Sequence, residues 1–100
     1  SHRERWHVES ELFSSTEATL LSSFERLGMN AQRRRIDGED HLLLIHGSSG
    51  DGVASFGIRN SGTQAKTSLS VRLSRGVDIE PFVQVLNEVH DSLTKALTDD

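Results

Sequence analysis

From Arg5 to Leu12 the side chains divide between two alternating sets. Trp6, Val8, Ser10 and Leu12 share one side and Arg5, His7, Glu9 and Glu11 the other, a period of two that predicts a half-buried first strand. The period then lengthens. Ser14 with Glu17 three residues later has the spacing of a capping box, with Phe13 and Ala18 placed as a hydrophobic staple. Leu20, Leu21, Phe24 and Leu27 follow as one apolar stripe, and Gly28 supplies the left-handed residue that closes a short helix.

From Ala31 to Ile36 the pattern predicts an extended segment, and Asp37-Gly38 a hairpin turn. His41 to His46 reads as a strand whose centre, Leu42 to Ile45, is apolar on both faces. The run Gly47 to Gly52 predicts a flexible turn. Val53 to Arg59 reads as a strand with Ala54, Phe56 and Ile58 on one face, and Asn60-Ser61-Gly62 turns the chain again. Thr67, Leu69, Val71 and Leu73 then alternate with Lys66, Ser68, Ser70 and Arg72, a strand with a clean division of faces. Asp78 is placed to cap a last helix that tolerates Pro81 in its first turn. Phe82, Val85, Leu86, Val89, Leu93, Ala96 and Leu97 keep helical spacing almost to the end. Asp99 and Asp100 oppose the negative end of that helix dipole, so residues 98–100 should fray.

The predicted order is strand, helix, hairpin-linked strands, helix. It gives an α+β fold: a two-layer sandwich in which a mainly antiparallel sheet of four to five strands carries two helices on one face. At 100 residues the chain suits a single domain, residues 1–100. Ser1-His2 reads as a cloning remnant, which would make the chain an excised piece of a larger protein.

Composition narrows the chemistry. There is no cysteine, which removes disulfides and thiolate metal sites and fits an intracellular, cytoplasmic setting. No apolar run is long enough to span a membrane. The net charge of -4 argues against nucleic acid as a partner, yet the charge is segregated. Asp78, Glu80, Glu88, Asp91, Asp99 and Asp100 make the end acidic against Lys95 alone. Arg59, Lys66, Arg72 and Arg75 make the preceding stretch basic, and Arg33, Arg34 and Arg35 form a second basic block.

No catalytic, metal or cofactor site is expected. Gly52 is followed by Val53-Ala54, not the Lys-Ser/Thr of a phosphate loop. His41 and His46 are an odd number apart on one strand and point to opposite faces. Ser48 and Ser49 lie near His46, but in a loop too loose to hold a nucleophile in register. The arginine run suits an edge strand kept soluble by charge, or a contact to an anionic ligand.

Pleating suggests where a partner could dock. Lys66 and Arg72 share the face opposite Leu69 and Leu73, the one the helices should leave bare. We therefore expect a non-enzymatic interaction or regulatory domain whose open sheet face presents Arg33, Arg35, Leu43, Ile45, Lys66 and Arg72 to a protein partner or to its own parent chain. Anionic phospholipid or RNA binding through the basic strand residues is the alternative, and a small-molecule site or enzyme a further one. A homo-oligomer is left open.

The layout of Trp6 in the first strand, the helix ending at Leu27-Gly28, the strand His41-Leu42-Leu43-Leu44-Ile45-His46 and the closing helix from Ile79 resembles the kinase-associated C-terminal domain of Ser/Thr protein kinases. The resemblance implies contact with anionic phospholipid, or a regulatory role in holding a kinase inactive.

Overall fold

The computed structural model describes residues 5–60 and 67–98. Ser1-His2, the Ser61-Gly62 of the expected turn, Lys66 and the final Asp99-Asp100 lie outside the described residues. The elements in chain order are helix α1 (Glu11–Arg26), strands β1 (Asn30–Arg34), β2 (Leu42–Ser49), β3 (Gly52–Asn60) and β4 (Thr67–Leu73), and helix α2 (Ile79–Thr98).

The alternation at residues 5–12 does not form a strand, which corrects the expected order to helix, four strands, helix. This segment turns instead, and Ser10 becomes the N-cap of α1. Its hydroxyl accepts a hydrogen bond from the Phe13 amide at 3.2 Å, so the helix starts four residues before the Ser14 capping box that the spacing suggests. The physical reason lies in Trp6. Its ring is fully buried beside Phe13, with centroids 4.9 Å apart. Its Nε1 donates to the His41 carbonyl at 3.0 Å, and its own carbonyl accepts from Asn60 Nδ2 at 3.3 Å. A segment held by such anchors fills the end of the core without pairing along an edge.

The end of α1 follows its sequence. Gly28 adopts φ 80°, the Met29 amide donates to the Phe24 carbonyl and the Gly28 amide to that of Glu25, each at 3.0 Å. These two bonds are the Schellman pair, which satisfies carbonyls that the helix would otherwise leave orphaned. At the other helix, Asp78 Oδ1 accepts from the Glu80 amide at 3.2 Å and starts α2 as expected.

The four strands form one antiparallel sheet in the order β1-β2-β3-β4. The glycine-rich stretch is more ordered than its composition suggests, because β2 runs through Ser49, β3 begins at Gly52, and only Gly50-Asp51 make the turn. That short turn sets the register: Leu43 lies opposite Ile58 and Ile45 opposite Phe56. Both helices pack on the face carrying these residues. Leu43, Ile45, Ala54, Phe56 and Ile58 are all fully buried, beneath Phe13, Leu20 and Phe24 of α1 and Phe82, Val85, Val89 and Leu93 of α2. Burial of each large apolar side chain contributes roughly 1.5–3 kcal/mol, so this one interface carries most of the fold. Gly47 sits in the same row, where a Cβ would come within 2.6 Å of the Phe24 ring. Glycine there lets α1 approach the sheet.

Candidate functional site: the open sheet face

Strand parity fixes what the other face displays. On β2 it presents Leu42, Leu44, His46 and Ser48, and on β3 Val53, Ser55, Gly57 and Arg59. The edge strands add Gln32 and Arg34 from β1, and Ser68, Ser70 and Arg72 from β4. No carboxylate occupies any of these positions. The exposed acids of the helical layer, among them Glu11, Glu25, Glu80, Glu88 and Asp91, lie on the opposite side of the molecule. The strand positions of the open face thus carry arginines, while the acids concentrate on the helices beside Arg26 and Lys95.

A trough of about 510 Å³ crosses this face, walled by Leu42 and Leu44 and floored by Ser55, Gly57, Ser68 and Ser70. Gly57 forms its lowest point, between Leu44 on β2 and Ser70 on β4. Arg59 and Arg72 stand at its two ends. Arg72 pairs across the ladder with Ser55, and four residues of strand separate Ser55 from Arg59, so the arginines stand roughly 13 Å apart along the strand direction. Arg59 Nη2 lies 3.3 Å from Glu39 Oε2, but both side chains are largely exposed, and such a pair exchanges readily with solvent and with other anions. Near the Arg72 end, His46 Nδ1 and Ser55 Oγ are 3.1 Å apart across the β2–β3 ladder. Among the described residues no carboxylate orients this imidazole, so the pair lacks the third group of a nucleophilic triad.

The residues expected on this face divide. Arg72 is there. Leu43 and Ile45 are not: they lie buried beneath the helices, and Leu42 and Leu44 take the open side. A continuous apolar run has no visible parity, so only the turn at Gly50-Asp51 decides which leucines face out. Arg33 is also on the helix side, because it pairs with Ile45 in the ladder. Its guanidinium carbon sits 4.8 Å from the Phe13 ring centroid and its Nη1 3.2 Å from Glu17 Oε1. Arg35 follows the end of β1 and is exposed outside the sheet, and Lys66 lies outside the described residues. Arg34, Arg59, Leu42 and Leu44 were missed, as was the contact of His46 with Ser55 in place of the nearer Ser48 and Ser49. The signal was present: Ala54, Phe56 and Ile58 were read as one face, and a two-residue turn before them places Leu43 and Ile45 on that face too.

Among the described residues no three His, Asp or Glu side chains gather as a metal site, and no helix is long and apolar enough to cross a membrane. No family model, curated protein or solved structure matches the chain.

Proposed function

We propose that the protein is a non-enzymatic interaction domain that binds an acidic polypeptide, in trans or from its own parent chain, along the trough of the open sheet face. The observation that carries this reading is that every charged position of the described strands on that face is an arginine, set around two part-exposed leucines. A segment with apolar residues between acidic ones would lay its apolar side chains against Leu42 and Leu44 and its carboxylates toward Arg59 and Arg72. The serine and glycine floor leaves room for a backbone, and the serine hydroxyls can donate to its carbonyls.

The same arginines could meet anionic phospholipid headgroups or RNA. Single-stranded RNA wants aromatic platforms for its bases, and the open face of the described strands has no Phe, Tyr or Trp. The acidic polypeptide is the better match.

The test compares three probes by fluorescence anisotropy or co-sedimentation: a peptide alternating Glu and Leu, phosphatidylserine vesicles and oligouridylate. The peptide should bind, and the double variant Arg59→Glu/Arg72→Glu should lose roughly tenfold in affinity, about 0.7 kcal/mol per reversed charge. Preference for vesicles or oligouridylate would replace this reading, and equal affinity of the variant would remove it.

A further inference from the structure

The two edges of the sheet are unlike. The β1 edge is five residues long, and the exposed Arg34 and Arg35 at its end guard it. Charges of this kind stop an edge from pairing with another chain. The β4 edge has no such guard. Between Ser68 and Leu73 it carries no proline and one charge, Arg72, and the far side of this strand has no strand partner among the described residues.

Two further observations bear on this edge. The inward row of β3 is fully buried, but Leu69, Val71 and Leu73 on the inward row of β4 are only half covered, so the helical layer stops short of the edge. Beside them runs a groove of about 140 Å³ bordered by Leu69, His90, Leu93, Thr94 and Leu97, with no Asp, Glu, Lys or Arg in its lining.

The geometry points to a second copy of this chain as the partner of the β4 edge. Antiparallel pairing of two β4 strands about Ser70 is self-complementary. Each Leu69 then faces the second copy's Val71, which joins the two half-covered apolar rows. Each Arg72 faces the second copy's Ser68, and the like charges stay four residues out of register. An isologous contact requires this self-matching, and the two residues that exchange places on the helix side, Leu69 and Val71, are both apolar and both only partly covered. The result is a continuous eight-stranded sheet with all four helices on one side and the two open faces joined on the other. This inference stands apart from the proposed partner of the open face.

The register gives a sharp test, because Ser70 alone stands opposite itself. It also faces Gly57 on β3, so a longer side chain at 70 has room above the sheet. Sedimentation equilibrium on the wild-type chain should give the mass of two chains. Ser70→Lys and Ser70→Glu should each give one chain, because each sets like charges face to face across the axis. An equimolar mixture of the two variants should recover the dimer as a heterodimer, which misfolded variants could not do. A wild-type chain that stays monomeric, charged variants that still dimerise, or a mixture that stays monomeric would each overturn the proposal.

Discussion

Arg33 sits over Phe13, its guanidinium carbon 4.8 Å from the ring centroid, and is tied at 3.2 Å to Glu17 on the same helix. The side chain is 12% exposed, and its Nε is buried with no hydrogen-bond partner. A cation so placed works as a cover for the core and not as a contact for a partner. Breaking such a pair from one side leaves a charge without its counterpart, whereas replacing both ends can be close to neutral. Glu17→Ala should therefore lower stability by about 1 kcal/mol, and Glu17→Ala/Arg33→Met should recover most of that loss in urea melts. Neither change should alter affinity for the acidic peptide.

The cap of α1 separates two nearby serines. Ser10→Ala removes the acceptor for the Phe13 amide and should cost about 1 kcal/mol. Ser14 is exposed on the second turn of the helix, and Ser14→Ala should change stability by less than about 0.5 kcal/mol. Equal losses at the two positions in thermal unfolding would contradict the assigned helix start.

Gly47 leaves no space for a methyl group. A Cβ there would meet Phe24 Cδ2 at 2.6 Å and Met29 Sδ at 3.2 Å, and overpacking of this kind costs about 1–3 kcal/mol. Gly47→Ala should shift the urea midpoint down with an unchanged slope, and the additional variant Phe24→Leu should return part of the loss by clearing the contact.

The single tryptophan reports on the core. Trp6 is fully buried, so its emission should be blue-shifted and should move red in one step with unfolding. Trp6→Phe keeps most of the packing but deletes the bond to the His41 carbonyl, at a cost of about 1–2 kcal/mol. Trp6→Ala should cost about 3–5 kcal/mol, comparable with the whole stability of many small domains.

Much of this architecture was legible in the chain. The two helices, the four strands between them, Gly28 as a helix terminator and Asp78 as a cap all follow from local spacing and turn chemistry. The errors have a common cause. Alternation at residues 5–12 looks like a strand because Trp6, Val8 and Leu12 are all drawn inward, yet a segment plugging the end of a core needs the same residues. Leu42 to Ile45 cannot declare a face locally, since four apolar residues in succession satisfy either parity. Arg33 misled for a related reason: charge suggests solvent, but a guanidinium can lie on a ring and keep a carboxylate. In each case a long-range partner, Asn60 for Trp6, Phe56 for Ile45 and Phe13 for Arg33, made a choice that neighbours in sequence could not.

Arg5 donates to the carbonyls of Ala96 and Leu97 at the last turn of α2, so the start and finish of the described fold share a corner. A fold that opens and closes at one point can hang from a longer polypeptide as a side loop does, without lengthening its path. It can also be cut elsewhere: joining residue 97 back to residue 5 by a short linker and opening the chain at Gly50-Asp51 should give a permuted protein with the same sheet, since exposed turns tolerate such breaks.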